Sequence, residues 1–245
     1  MNWVVSDIHG CFFTLEKLLE NVYKIDSSAL LIFIGDYIDR GKNSSSVISF
    51  LSNFKNAVFL RGNHDDVVDW LLNDHSLTDM SEMVRGIPSL YSVYLWWLQN
   101  GFGKTLESYG LQYYDQTFRE KIPEEHKLFL KNTTLFWQNQ THFVCHAFWR
   151  PNEELPSSAI LLKSDRIMEC LWTRFSLVGQ LPQTVWNKIG VFGHTPLDQY
   201  NAVSPIKHGK IRLIDGGAFK GNYLVAYCCE MDDWILQSAD SRDIL

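Results

Sequence analysis

Three short segments carry residue types that can do metal and phosphate chemistry: Asp7-Ile8-His9-Gly10, Gly35-Asp36-Tyr37-Ile38-Asp39-Arg40-Gly41 and Gly62-Asn63-His64-Asp65. An aspartate and a histidine two residues apart on a strand-to-loop turn, as Asp7 and His9 are, can grip one divalent ion. Asp36, at the end of a neighbouring strand, can bridge that ion to a second, and Asn63, His146 and His194 would complete the second site. These donors are oxygen and nitrogen without thiolate, a set that suits manganese, iron or zinc better than copper. Two carboxylates against two divalent ions leave a surplus of about two positive charges, which draws a hydroxide and a phosphate ester. Such a pair of ions can acidify the attacking water and bind the phosphoryl oxygens of an in-line displacement. With average residue usage, the fixed positions of the middle segment alone arise by chance in roughly one chain in 10⁴ of this length. Three in order point to a two-metal phosphoester hydrolase.

The neighbours of these residues fill the other roles. His64 follows Asn63 directly, so it can lie over the metals without binding one, the place of a general acid for the leaving oxygen. Asp39 can hydrogen-bond that imidazole and keep it protonated, a reading preferred here to that of an ordinary turn carboxylate. Arg40, Arg61 and Arg174 are candidates to hold phosphate oxygens in a fork, against the background that surface arginines are common. His75, His126, His142 and His208 have no strand-end context and receive no role.

The elements that must position them are legible as apolar runs. Residues 3–5, 30–34 and 57–60 read as buried strands, each ending at one of the three segments, and an open α/β sheet places its chemistry at such strand ends. Residues 141–145 alternate and end at His146; 188–192 lead into Gly193-His194-Thr195-Pro196, and 211–214 into Asp215-Gly216-Gly217. Residues 223–229 read as the next strand of a meander. Between the first strands, Phe12, Leu15, Leu18, Leu19 and Val22 recur at a helical period, and 44–54 repeats it more weakly behind Asn43 as a cap. From about 73 to 140 the pattern becomes a helical insertion. There 91–98 reads as a helix stopped by Asn100-Gly101, and Pro123-Glu124-Glu125 opens another. Trp96 and Trp97 within it are core residues on the simplest reading, or a platform on which an adenine could stack.

A chain of 245 residues is long enough to bury a full α/β core, so one domain over 1–245 is expected. A net charge of -6 and a pI near 5.7 provide no basic field for nucleic acid. The five cysteines lack CxxC spacing and read as reduced core thiols, as in a cytoplasmic protein. The first strand begins at residue 2 or 3, which leaves no room for a signal peptide, and no apolar stretch reaches the length of a membrane span.

With these segments in place, the chain resembles a bacterial member of the phosphoprotein phosphatase family, within the calcineurin-like metallophosphoesterases. The matching residues run from Asp7 to Asp215-Gly216-Gly217, with His146-Ala147, Trp172-Thr173-Arg174 and Gly193-His194-Thr195-Pro196 between. Thr105-Leu106-Glu107-Ser108-Tyr109-Gly110 also resembles part of the bacterial branch's insertion. The resemblance implies a sandwich of two central mixed β-sheets flanked by helices. It implies Asp7, His9 and Asp36 on one metal, and Asp36, Asn63, His146 and His194 on the other, with manganese foremost. It further implies His64 with Asp39 as the acid pair, and a phosphorylated protein or small phosphoester as substrate. Three positions depart from the family pattern: Ser6 and Phe148 stand where glycine is usual, and Gly216 replaces a common threonine. Phe148 is expected to narrow access beside His146. A close relative in the family cleaves dinucleoside tetraphosphates symmetrically. It typically lacks the counterparts of Asp39 and Arg61, so their presence favours the serine/threonine phosphatase over that rival.

Overall fold

A computed structural model describes residues 1–78, 90–115, 117–156, 164–174 and 184–244. Two five-stranded sheets lie face to face. The first has the order β10-β9-β1-β2-β3, with β1 (Asn2–Val5), β2 (Leu30–Phe33) and β3 (Ala57–Phe59) parallel, and β9 (Tyr223–Cys228) and β10 (Asp233–Ser238) antiparallel. The second runs β4-β5-β6-β8-β7, with β5 (His142–Cys145), β6 (Ile189–Phe192) and β8 (Ile211–Leu213) parallel. Its antiparallel edges are β4 (Phe136–Gln138) and β7 (Ile206–His208).

Side-chain parity explains the layers. In β1, Trp3 and Val5 pack on the helices while Val4 enters the space between the sheets; in β2, Leu31 and Phe33 pack outward and Ile32 inward. The second sheet mirrors this, with Val144 and Val191 facing inward and Phe143, Cys145 and Phe192 outward. A strand covered on both faces reads as a continuous apolar run. All four residues of β5, His142 included, are buried for the same reason, so the alternation expected over 141–145 does not mark a solvent face.

Helices α1 (Phe12–Ile25), α2 (Ser44–Ser52) and α3 (Asn63–Asn73) cover the first sheet. The periodic residues Leu15, Leu18, Leu19 and Val22 form the buried stripe of α1. Asn43 does sit at the N-cap of α2, but its side chain donates to Asp243 Oδ1 and the Arg242 carbonyl rather than capping that helix. Asp243 in turn accepts the N–H groups of Phe13 and Thr14, the free donors in the first turn of α1.

Two expectations are corrected here. The insertion is helical only to residue 131, through α4 (Leu90–Trp97), α5 (Gly103–Ser108), α6 (Phe118–Lys121) and α7 (Glu124–Lys131); residues 136–138 are already β4. The stop expected at Asn100-Gly101 is present: Gly101, at φ 113°, is not helical and kinks the chain between α4 and α5. β9 does not continue a meander: it leaves β8 for the other sheet and pairs with β1 and β10. That return brings Val225 and Tyr227 into the space between the sheets, which no local pattern encodes.

Candidate active site

The candidate ligands, and His64, Asp39 and Arg40 beside them, each follow a parallel strand. Asp7 and His9 follow β1; Asp36, Asp39 and Arg40 follow β2; Asn63 and His64 open α3 just past β3; His146, His194 and Asp215 follow β5, β6 and β8. Five of them hold left-handed backbone: His9 (φ 44°), Asp36 (52°), Asp39 (68°), Arg40 (69°) and His194 (65°). Such conformations cost roughly 1–3 kcal/mol each and persist where the surroundings over-determine them. Asp65 supplies part of that determination. Its buried carboxylate accepts the N–H groups of Asp36 (2.7 Å), Tyr37 (3.1 Å) and Gly62 (2.8 Å). Position 62 must be glycine, since a Cβ there would lie 2.1 Å from Asp36 Oδ1.

Asp36 is shared by two tight groups of donors, His9/Asp36/His64 and Asp36/His146/His194, each spanning at most 4.8 Å. In the second, Asn63 Oδ1 stands 3.2 Å from His146 Nε2 and 3.0 Å from His194 Nδ1, and His146 Nε2 stands 3.6 Å from Asp36 Oδ1. Four ligands on bonds of about 2.1 Å around a tetrahedral ion would be about 3.4 Å apart. The donor chemistry fits too. His146 donates Nδ1–H to the Ile34 carbonyl (3.2 Å) and His9 donates Nδ1–H to that of Ile38 (2.8 Å). Their Nε2 lone pairs therefore face oxygen lone pairs, including His9 Nε2 against Asp36 Oδ2 at 3.2 Å, an arrangement that asks for a cation between them.

Electrostatics point the same way. Burial, and then the charges of Asp215 and Asp36, push the Asp7 carboxyl well above its usual range. Asp36 is held well below it, because His146, His64 and His9 outweigh the penalty of burial. Burial lowers His146, and His194 further, which leaves neutral imidazoles with lone pairs to give. Asp7 Oδ2, Asp215 Oδ2 and His194 Nε2 are buried without a hydrogen-bond partner. Asp7 Oδ1 accepts the His194 N–H (3.0 Å) and lies 3.6 Å from His146 Nδ1.

His64 and Asp39 meet at 2.7 Å, Nδ1 to Oδ2. Arg40 donates from Nη1 to His9 Nε2 and from Nη2 to His64 Nε2, both at 2.8 Å, and its guanidinium lies 4.7 Å from the Phe219 ring centre. Because a guanidinium only donates, both Nε2 atoms are acceptors here and His64 carries its proton on Nδ1.

Other candidates fall elsewhere. Arg61 is not at the site: it is fully buried, and all five of its N–H groups are used inside the protein. Arg174 is exposed and donates to Gln199 (3.2 Å), close enough to His194 for its charge to be felt there. Phe148 does not narrow the approach to His146; its ring packs on Phe192 and Trp186 in the second core. Gly216 has a steric reason to depart from threonine, as a Cβ would meet the Tyr223 carbonyl at 2.2 Å. Trp97 is 1% exposed, which removes it as a stacking platform. Burial pushes the Cys11 and Cys145 thiols up, so neither is an activated nucleophile. Sequence reasoning missed Asp65 and Phe219 beside the site, and offered Trp97 only as core or as a base platform, not as a partner of Asp39. Only Asp65 left a signal, the capping-box spacing three residues past Gly62.

The family model for the calcineurin-like phosphoesterases matches residues 3–198. The chain belongs to that family. This phosphoesterase is 27% identical over 230 residues to serine/threonine-protein phosphatase 1 of Salmonella typhimurium, covering 91% of this chain and 88% of that protein. A shorter match, 42% over 64 residues, is to the symmetrical bis(5'-nucleosyl)-tetraphosphatase of Actinobacillus succinogenes; it covers 26% of this chain and 23% of that protein. Among solved structures, a candidate diadenosine tetraphosphatase superposes with a TM-score of 0.64 at 18% identity, covering 98% of this chain and 94% of the other. A cold-active protein-tyrosine phosphatase of Shewanella follows at 0.50, 15% identical, over 97% and 80%. These structures share the fold, two mixed sheets flanked by helices. The phosphoesterase is a hydrolase whose Asp and His clusters are able to bind metal, and no helix among its described residues is long and apolar enough to cross a membrane.

Proposed function

We propose that this phosphoesterase is a serine/threonine-type protein phosphatase, a phosphomonoesterase that works with two divalent ions, manganese foremost. Asp7, His9, Asp36, Asn63, His146 and His194 would hold them, and the bound ions would supply an acidified water and charge neutralisation at the phosphoryl group. The chain's own residues do the rest. His64 protonates the leaving oxygen once its Nε2 has parted from Arg40 Nη2 and taken up a proton, Asp39 keeps its ring in place through Nδ1, and Arg40, with Arg174 at the rim, receives the phosphate. The observation that carries this reading is the Arg40 guanidinium spanning His9 and His64. A fork of positive charge centred there suits a dianionic terminal phosphate better than a singly charged bridging one. The near full-length similarity to a bacterial serine/threonine phosphatase supports it, and five free, buried cysteines fit a cytoplasmic location.

The rival is symmetrical cleavage of a dinucleoside tetraphosphate, favoured by the short stretch of higher identity. With Trp97 buried, a base platform falls to Trp96, which is 37% exposed. Turnover of a phosphoserine/phosphothreonine peptide panel beside diadenosine tetraphosphate decides between them. Peptides are expected to be the better substrates. A kcat/KM favouring the dinucleotide by about 100-fold, equivalent to about 2.7 kcal/mol, would overturn the phosphatase.

For the acid, His64→Ala is expected to keep both metals and to slow alkyl phosphates by about 10²–10⁴-fold. 4-Nitrophenyl phosphate, whose leaving group needs little protonation, should lose far less. Equal losses on the two substrates would remove His64 from that role.

A further inference from the structure

The helical insertion, and within it the Thr105-Leu106-Glu107-Ser108-Tyr109-Gly110 stretch, has no part in the functions assigned so far. Its contacts with Asp39 suggest one. Asp39 is fully buried, and its carboxylate is pinned at both oxygens. Oδ2 accepts His64 Nδ1–H at 2.7 Å and the Trp97 indole N–H at 3.0 Å; Oδ1 accepts the Thr105 hydroxyl at 2.7 Å. The same hydroxyl accepts the Asp39 N–H at 2.9 Å. Held at both ends, the carboxylate cannot rotate about its Cβ–Cγ bond, and one direction is left for the imidazole. The Trp97 ring closes the other side, 4.8 Å from the His64 ring and tilted by 53°.

The backbone of the insertion adds a third grip. Gly101 accepts the Arg40 N–H at 3.3 Å, and a Cβ at this φ of 113° would lie 2.6 Å from Arg40 N. Trp97 and Thr105 are eight residues apart, so they would stand about 80° apart around an uninterrupted α-helix. The kink at Gly101 between them breaks that register and lets both reach one carboxylate.

From this geometry we infer that Trp97 and Thr105 are positioning residues for phosphoester hydrolysis: they orient Asp39, and through it aim His64 Nε2 at the leaving oxygen. The inference rests on the reading of His64 as the general acid. A purely structural role would need the indole's bulk but not an N–H aimed at the oxygen that His64 uses.

The test separates bulk from direction. Trp97→Phe keeps an aromatic ring and removes the donor, and Thr105→Val is compared with Thr105→Ser. Each protein is assayed in its metal-loaded form with an alkyl phosphomonoester, such as phosphoserine, and with 4-nitrophenyl phosphate; His64→Ala is the reference. Trp97→Phe is expected to lower kcat on the alkyl ester about 10-fold, equivalent to about 1.4 kcal/mol, with KM and metal content held and nitrophenyl turnover within about 2-fold. Thr105→Val should show the same pattern, and Thr105→Ser should restore it. If His64→Ala discriminates between the substrates but Trp97→Phe and Thr105→Val do not, the positioning role falls and the acid stands. If His64→Ala itself fails to discriminate, both fall. Should Trp97→Phe not fold, the Thr105 pair decides alone: a valine loss that serine does not repair overturns the inference.

Discussion

Asp36→Asn is expected to abolish binding of at least one metal ion per chain and to cut phosphoester turnover by about 10²–10³-fold or more. The physical reason is that Asp36 belongs to both donor groups, with Oδ2 facing His9 at 3.2 Å and Oδ1 facing His146 at 3.6 Å. Two dications repel four times as strongly as two unit charges at the same spacing, about 16 against about 4 kcal/mol at 4 Å and an effective dielectric constant of 20. A bridging carboxylate offsets much of that, whereas a neutral amide of the same shape does not. Losing even several kcal/mol of charge stabilisation in the transition state gives the stated fall in rate. The fold should survive, because the amide oxygen still accepts the His64 N–H that Asp36 Oδ1 accepts at 3.0 Å. Metal analysis, turnover and a thermal melt on the same preparation check all three statements. Two fully bound ions with normal turnover would remove Asp36 as the bridge.

Arg61→Met is expected to destabilise the protein by about 3–5 kcal/mol and to lower the melting temperature by roughly 6–20 °C. Arg61 donates from Nη1 to Asp66 and Asp69 (both 2.9 Å), from Nε to Thr133 (2.9 Å), and from Nη2 to the carbonyls of Leu130 (2.6 Å) and Lys131 (3.1 Å). Both carboxylates are buried, so removing the guanidinium leaves them uncompensated. Lysine should rescue little, since one ammonium cannot reproduce five donors in a planar fork. A phosphate-binding arginine would behave in the opposite way, with a raised KM and an unchanged melt. That result would restore the role expected from sequence.

The contrast between these two residues marks where sequence is sufficient. Asp7, His9, Asp36, Asn63, His146 and His194 could be named as candidate ligands without a structure because each follows a strand covered on both faces. Such strands are continuous apolar runs with a sharp polar end, and parallel strands bring those ends to one edge. Position along the chain therefore stands in for position in space. Arg61 has the same sequence context, two residues before Asn63, but its role depends on where its side chain points. That was decided by residues 130–134, which lie beside β3 only in the folded chain: Arg61 N–H donates to the Thr134 carbonyl, and Leu60 bridges Thr134. Trp97 is the converse case, an aromatic residue that the sequence offers only as core or as a stacking platform. Tertiary packing across 58 residues turned its N–H onto Asp39. Glycine at 101 was legible as a helix stop, as left-handed glycine usually is; only the fold shows that Arg40 also approaches it too closely for a side chain. The strand partners of β9 were equally hidden, since an apolar run specifies burial but not which of two sheets will bury it. What the chain encodes locally is the candidate ligand set and the strands that carry it. What only the fold decides is the direction of the long side chains around that set, because each direction is chosen by a partner tens of residues away.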